Sequence, residues 1–248
     1  MRYFIETAYV GLEFSGFQIQ NNANTIQLQI TNALNIFYKT TFTLTGSSRT
    51  DAQVNAYQNF FHFNTELLIR NSDLYNLNSI LPNSIVIISI SPVIESAHAR
   101  FSAISRTYQY KIHTFKSPFS HNNSYFFPYK IDALKLSEIS NFYLTQTNFY
   151  NFCKSNTQVN NYQCTILNSN WQIHNNNCVY TVEANRFLRG MVKALVGTSL
   201  LYASHKISSH NIETLFTCFN LKIKANFTPP GYALYLKKVL YPENIFLK

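Results

Sequence analysis

Short strand-like segments alternate with amphipathic segments along this chain, and the same order occurs twice. In the first half, a strand at Arg2 to Tyr9 precedes a helix, two strands, a second helix and a buried strand at Ile85 to Ile94. The second half opens with Arg106 to Thr114, in which aromatic or aliphatic residues alternate with polar ones. This order predicts an α+β fold of two similar α/β halves, with helices flanking a largely antiparallel, continuous sheet.

The divide between the halves falls near Ala99 to Ser105, so we expect an N-terminal half of residues 1–104 and a C-terminal half of residues 105–248. Apolar residues at helical spacing from Ile26 to Phe37 predict a helix capped by Asn24 or Thr25. Ser72 to Leu81 predicts a short helix capped by its own first residue, and Leu188 to Ala203 predicts a mostly apolar helix in the second half.

The charge of the chain is strongly one-sided. Lys and Arg number 20 against 11 Asp and Glu, a formal net charge of +9, although only 12% of the residues are charged. This imbalance favours a polyanionic partner such as nucleic acid, and a basic proteome or simple solubility is the alternative explanation. A hydrophobic content of 46% indicates a globular chain and excludes a disordered one.

Motifs for a metal or an organic cofactor are absent from the sequence. The four cysteines have wide, irregular gaps with no Cys-x-x-Cys pair, and the histidines have no ligand spacing. There is no glycine-rich phosphate loop of the kind that ATP- or NAD-dependent enzymes use. The first residues do not read as a signal peptide, and no apolar run is long enough to span a bilayer. We therefore expect a cytoplasmic protein that uses no cofactor.

The polar segment SSRTDAQVNA holds the first candidates for chemistry, between strand candidates Phe42 to Ser47 and Gln58 to Asn64. Loops held by rigid strands often carry catalytic groups, and a guanidinium neighbour keeps a carboxylate ionised. Arg49 is close enough in sequence to pair with Asp51 or to meet an RNA phosphate. A polar turn with an Asp cap explains the same residues, so both interpretations stay open at this point.

The strand RTYQYKI offers a second candidate site. Tyr108 and Tyr110 share one face of this strand, where they could stack on extruded bases or simply fill a core. Arg106 precedes them and could meet a phosphate.

A third candidate is the basic cluster of Arg186, Arg189 and Lys193, where a strand gives way to a helix. Basic groups are unfavourable at the positive end of a helix, and an anionic ligand would relieve that conflict. An ordinary amphipathic helix with solvated basic residues is the alternative.

Taken in order, these segments resemble the tRNA pseudouridine synthase A family. The family signature G-R-T-D-A-G-V-H stands here as S-R-T-D-A-Q-V-N, at Ser48 to Asn55. HARFSAISRTYQYKIHT, at His98 to Thr114, matches the family's central segment, and Phe152 to Ile166 and Asn185 to Thr198 match its second half. The resemblance extends over nearly the whole chain, from RYFIETAYVGLEFSGFQIQ to GYALYLKKVLYP.

This resemblance implies the pseudouridine synthase fold and an isomerase that converts uridine to pseudouridine in the anticodon stem-loop of tRNA, at tRNA positions 38, 39 and 40. It implies that Asp51 is the nucleophile, that Arg49 pairs with it, and that Tyr108 stacks against the target base. It also implies a homodimer that binds tRNA and needs neither metal nor organic cofactor. The remaining implied substrate contacts are Leu234, on the opposite side of the base, and the phosphate-binding Arg186, Arg189 and Lys193.

Several positions depart from the family pattern. Gln53 stands in place of a Gly, and Asn55 in place of a His. If the backbone at this Gly has a positive φ, Gln53 costs about 1 kcal/mol. Lys193 replaces a common Arg and lacks its bidentate geometry for phosphate, and Ala233 replaces the Gly before Leu234.

Two rival functions remain open on the sequence. One is a catalytically silent tRNA-binding protein or RNA chaperone, which the changes at Gln53 and Asn55 favour. The other is a generic RNA-binding pair of α+β modules. The intact Asp51 favours the isomerase.

Overall fold

A computed structural model describes residues 1–155, 160–219 and 223–247. Residues 156–159, part of the segment Phe152 to Ile166, lie outside the described part of the chain. The described residues form nine β-strands and five α-helices. In chain order these are β1 (Arg2–Tyr9), α1 (Ile26–Tyr38), β2 (Thr45–Gly46), β3 (Asn55–Asn64), α2 (Asp73–Ile80), β4 (Ile85–Val93), β5 (Ser105–His113), β6 (Tyr125–Phe126), α3 (Ala133–Leu144), β7 (Ile166–His174), β8 (Asn177–Ala184), α4 (Met191–Ala203), α5 (Ser209–Thr217) and β9 (Leu234–Leu240).

Mixed helices and mostly antiparallel strands confirm the predicted α+β class. The chain divides into two compact units, one of Met1–Ser105 plus the described residues from Tyr235 onward, the other of Arg106–Leu234. The first boundary lies next to the division that the sequence predicts. The C-terminal end departs from that division, because β9 runs parallel to β3 and so belongs with the first unit.

The sheet of the first unit has the strand order β4-β1-β3-β9. β1 runs antiparallel to both of its neighbours, and its bounds are those predicted from the sequence. β2 is shorter than the predicted strand Phe42 to Ser47. The reason is that the backbone N–H of Phe42 donates to Oδ1 of Asn35, in α1, at 2.8 Å and is not used in strand pairing.

The two helices of the first unit differ in how well the sequence predicts their caps. Thr25 caps α1, since its hydroxyl accepts a hydrogen bond from the backbone N–H of Leu28 at 3.3 Å. Ser72 does not cap α2, contrary to the prediction, because its backbone is already helical at φ −60° and ψ −24°. The carboxylate of Asp73 instead accepts from the backbone N–H of Arg70 at 3.0 Å.

The sheet of the second unit has the order β5-β8-β7, all antiparallel, with the short β6 parallel to β5. β7 and β8 form a hairpin, and Asn175 in its turn has a φ of +52°. α3 packs against β7 and α4, and the buried hydroxyl of Tyr143 donates to the backbone carbonyl of Leu195 at 3.1 Å. α4 begins at Met191 and not at Leu188 as predicted, because Gly190 adopts a left-handed φ of +74° that a helix cannot continue.

Candidate active site

Asp51 lies in the loop that joins β2 to β3 in the first unit. Its side chain is partly exposed, that of Arg49 is exposed, and that of Thr50 between them is buried. Asp51 therefore lies partly at the surface of this unit, while Thr50, the residue before it, is buried. The pairing of Arg49 with Asp51 stays a prediction.

Buried hydrogen bonds hold the segment that leads into Asp51. The hydroxyls of Tyr9 and Thr50 lie 2.8 Å apart. The side-chain amide of Asn59 donates to the hydroxyl of Tyr9 at 3.0 Å and to the backbone carbonyl of Ser48 at 2.9 Å. The backbone N–H of Phe17 donates to the carbonyl of Thr50 at 3.1 Å. Contacts from β1, β3 and the loop before α1 thus position the candidate nucleophile.

Two backbone positions around this loop have positive φ. Gly16 has a φ of +110°, a backbone conformation that residues with a Cβ rarely adopt, and an added Cβ would also lie 3.3 Å from the carbonyl oxygen of Thr50, so this position favours glycine. Gln53 has a φ of +66°. The position where the family has Gly therefore does have a positive φ. This left-handed backbone costs on the order of 1 kcal/mol for a residue with a Cβ such as Gln53.

Asn55 has a structural contact in this position. Its side-chain carbonyl accepts the backbone N–H of Gly11 at 2.9 Å, which ties the start of β3 to the end of β1. A Cβ on Gly11 would lie 2.1 Å from the carbonyl oxygen of Val54, so glycine is needed for this close approach. The residue that departs from the family's His thus supports the loop that carries Asp51.

In the second unit, β5 carries Tyr108 and Tyr110 on the same face, as the alternation predicts. Tyr110 is fully buried and its hydroxyl donates to the backbone carbonyl of Pro230 at 2.8 Å, so the core interpretation holds for this residue. Tyr108 is also buried and packs edge-on against Phe187, with ring centroids 5.1 Å apart. Base stacking by Tyr108 stays a prediction.

The basic residues of the second unit surround the junction between β8 and α4. Arg106 is largely buried, and its guanidinium donates to the backbone carbonyl of Asn185 at 3.1 Å, which places it beside Arg186. Arg186 is partly exposed and Arg189 is exposed, and both lie in the connection between the two elements. Lys193, in the first turn of α4, is partly exposed, and that turn contains no acidic residue.

The structure adds Lys154 to this basic junction, a residue that sequence reasoning did not select. Its backbone N–H donates to the carbonyl of Arg189 at 3.0 Å. Its side chain crosses the bare face of Gly190, where an added Cβ would lie 3.0 Å from Cγ of the lysine. The sequence offers little signal for this contact, because Lys154 is far from α4 along the chain.

Leu234, the implied contact on the second face of the base, is buried at the start of β9. It follows the short helical turn Gly231–Ala233, in which Ala233 is fully buried. Whether Leu234 touches a bound nucleotide stays a prediction.

In the described part of the chain, His, Cys, Asp and Glu nowhere form a group of three or more that could hold a metal ion. His62 and His98 do lie together, with ring centroids 4.5 Å apart. Nδ1 of His62 accepts the backbone N–H of Ala99 at 3.2 Å. Burial, with smaller contributions from His98 and Arg2, lowers the pKa of His62 to about 4. Across the described residues, no helix has the length and apolar character needed to cross a membrane.

Comparison with known proteins gives consistent matches. A family model described as tRNA pseudouridine synthase matches residues 142–242. The chain is 38% identical over 249 residues to the tRNA pseudouridine synthase A of Parabacteroides distasonis, covering 99% of this chain and 98% of that protein. It is 37% identical to the protein of the same name from Azobacteroides pseudotrichonymphae, with 99% and 98% covered, and 33% identical to that of Bacillus pumilus, with 94% and 96% covered.

A strand-held aspartate loop and a basic junction in a mixed α/β fold, together with these matches, define an isomerase of the pseudouridine synthase class. The chain is also more than 30% identical to relatives that it covers almost completely, which identifies one family within this class. The chain belongs to the tRNA pseudouridine synthase A family.

Proposed function

We propose that this protein isomerises uridine to pseudouridine in tRNA, at the anticodon stem-loop, with Asp51 as the nucleophile. The observation that carries the proposal is the full-length similarity to tRNA pseudouridine synthases A, joined to the position of Asp51 on a loop fixed by Tyr9 and Asn59. A carboxylate on a loop whose preceding residues are held in place, at a partly exposed position, suits the role of a nucleophile.

The reaction rearranges bonds without a net change in composition. The bond from N1 of uracil to C1′ of the ribose breaks, the base turns, and a bond from C5 to C1′ forms. The hydrogen on C5 leaves and N1 gains a proton, so the step needs no oxidant, reductant or other co-reactant. Asp51 attacks the base or the sugar carbon, or removes a sugar proton, and each of these routes uses an ionised carboxylate.

The uridine must leave its stack before this chemistry, and unstacking costs a few kcal/mol. In the proposal, Arg49 pairs with Asp51 and helps hold the nucleotide outside the helix. Tyr108 stacks on the extruded base and Leu234 lies on its other side. The phosphate backbone is bound by Arg106, Arg186, Arg189 and Lys193, and these contacts offset part of the unstacking cost.

The proposed assembly is a homodimer that binds tRNA in the cytoplasm without a metal or an organic cofactor. Family resemblance supports the dimer, and the net charge of +9 supports a polyanionic partner.

The proposal is tested by mapping pseudouridine in unmodified tRNA treated with wild-type protein and with Asp51→Asn. Asn keeps the size of the side chain and removes its charge, so we expect tRNA binding to persist and pseudouridine to disappear. Asp73→Asn, at the start of α2, is the matched control and should leave the modification intact. Pseudouridine formation by Asp51→Asn at the wild-type rate would refute the assignment of the nucleophile.

A catalytically silent tRNA-binding protein is the second candidate, favoured by the left-handed Gln53 in the active-site loop. The same mapping separates the two, since a silent protein binds tRNA and leaves every uridine unchanged.

A further inference from the structure

The connection between β5 and β6, residues 114–124, presents aromatic and basic side chains to solvent; we call it the basic-aromatic loop. Phe119 is 91% exposed and Phe115 is 70% exposed. Lys116 and His121 of the same loop are also exposed. Large exposed aromatic side chains grouped on one loop indicate a binding surface.

The loop is anchored at both ends, so the exposed rings belong to an ordered connection. At its start, the backbone N–H of Thr114 donates to the carbonyl of Asn176 at 2.9 Å. At its end, the hydroxyl of Ser124 lies 3.0 Å from Nδ1 of His113. Phe126 then stacks on His113, with centroids 5.4 Å apart and an angle of 28° between the rings.

The loop and the β7–β8 turn beside it belong to long stretches of sequence without a negative side chain. No Asp or Glu occurs between Glu95 and Asp132, and none occurs between Glu138 and Glu183, a range that includes the whole β7–β8 turn beside the loop. Cationic groups interleaved with aromatic rings are the combination that binds unpaired nucleotides, since phosphates meet the cations and bases stack on the rings.

We propose that the basic-aromatic loop is a second tRNA contact, at which Phe115 and Phe119 stack on unpaired bases and Lys116 meets the backbone phosphate. The proposal rests on the proposed function in that tRNA is the partner. His113, at the loop, is five residues along β5 from Tyr108, or about 17 Å at the rise of a strand. The loop therefore contacts nucleotides other than the uridine that reacts.

A second copy of this chain is a poorer occupant of the same surface. Where the loop lay at the two-fold axis of a dimer, it would meet its own copy, and the two Lys116 side chains would face each other with no Asp or Glu in either loop to pair with. A nucleic acid strand supplies the opposite charge and the flat rings together.

The test measures the Kd for unmodified tRNA and the single-turnover rate of pseudouridine formation at saturating tRNA. Phe119→Ala and Phe119→Leu should each raise Kd about tenfold, because both remove the ring. Phe119→Tyr should keep wild-type affinity, and none of the three variants should change the single-turnover rate at saturating tRNA.

Lys116→Ala should reduce the slope of log affinity against log salt by about one. Tyr75→Ala, which removes an exposed ring on α2, is the control and should change neither quantity.

A Kd of Phe119→Ala equal to that of the wild type would overturn the proposal. A wild-type Kd of Phe119→Leu would overturn it too, because leucine can replace phenylalanine in an apolar contact but cannot stack on a base. A change in the sedimenting mass of Phe119→Ala without a change in RNA affinity would assign the loop to a protein interface instead. If the variants weaken binding while wild-type protein makes no pseudouridine, the loop assignment stands and the proposed function fails. If wild-type protein modifies tRNA and the variants bind it with wild-type Kd, the proposed function stands and the loop assignment fails. If wild-type protein binds no tRNA, both the loop assignment and the proposed function fail.

Discussion

The hydroxyl of Tyr9, at the end of β1, lies 2.8 Å from the hydroxyl of Thr50, the residue immediately before Asp51. The same phenol oxygen accepts a hydrogen bond from the side-chain amide of Asn59 in β3. The proposed nucleophile is thus positioned by a buried polar network between two paired strands, and a change far from any substrate can move it.

Tyr9→Phe removes the shared oxygen and leaves the Thr50 hydroxyl and an Asn59 N–H short of a buried partner. We expect the free energy of unfolding to fall by about 1–3 kcal/mol, measured by urea denaturation. We also expect the single-turnover rate of pseudouridine formation to fall on the order of tenfold, because the loop that carries Asp51 is no longer held in position. Tyr3→Phe is the control, since the hydrogen bonds of its hydroxyl to the described residues are long, at 3.5 and 3.8 Å. Equal effects of the two substitutions would contradict a special role for Tyr9.

Gln53→Gly should stabilise the protein by about 0.5–1 kcal/mol, because glycine adopts the observed φ of +66° without strain. The melting temperature and the urea midpoint measure this gain. Ala52→Gly, one residue earlier and outside the positive-φ positions, should instead be destabilising. A loss of stability in Gln53→Gly would show that the side chain makes contacts worth more than the backbone strain.

The buried His62 should make stability fall in mild acid. Well above pH 6.5 neither the folded nor the unfolded form is protonated at this residue, so it contributes no pH dependence there. Between about pH 6.5 and 4 the unfolded chain takes up a proton that the folded protein resists, because burial lowers the folded pKa to about 4. The contribution of His62 to the free energy of unfolding should therefore decrease over this window and level off below it.

His62→Asn isolates this effect, because an amide oxygen can still accept the Ala99 N–H but cannot take up a proton. Urea unfolding at several pH values should show a shallower decrease for this variant than for the wild type. His98 adds a decrease of the same sign in both proteins, since burial lowers its pKa as well. Identical pH profiles would rule out His62 as the source.

Arg189→Ala should weaken tRNA binding and reduce the salt slope by about one, because an exposed cation at the β8–α4 junction is removed. Filter binding at several salt concentrations gives both quantities. Arg70→Ala, an exposed arginine before α2, is the control and should leave the slope unchanged. A slope unaffected by Arg189→Ala would remove this residue from the proposed phosphate contacts.

Local patterns predicted most of the secondary structure. The bounds of β1 and the cap at Thr25 follow from alternation and from the hydrogen-bonding capacity of a hydroxyl, both encoded within a few residues. The same reasoning was wrong at Ser72 and placed the start of α4 three residues too early. There the outcome depends on the helical backbone of Ser72 and on the left-handed backbone of Gly190.

Family resemblance located the loop around Asp51, but local patterns did not reveal what holds it. The partners of this loop, Tyr9 and Asn59, lie on other strands, and nothing in the loop's own residues specifies them. The parallel pairing of β9 with β3 is more distant still, since about 180 residues separate Asn55 from Tyr235. Such long-range pairings depend on the whole fold, and no periodic pattern in the sequence indicates which residues will pair.

The return of β9 to β3 has a consequence for biosynthesis. On the ribosome, the stretch Arg106–Leu234 emerges as one uninterrupted piece and has all its own strands available. The amino-terminal sheet, although translated first, must wait for Tyr235 and Leu236 before its last strand can be added. We therefore expect the sheet of the first unit to stay incomplete until β9 has been synthesised, after every strand of Arg106–Leu234, although Tyr9 and Asn59 can already hold the loop of the proposed catalytic aspartate.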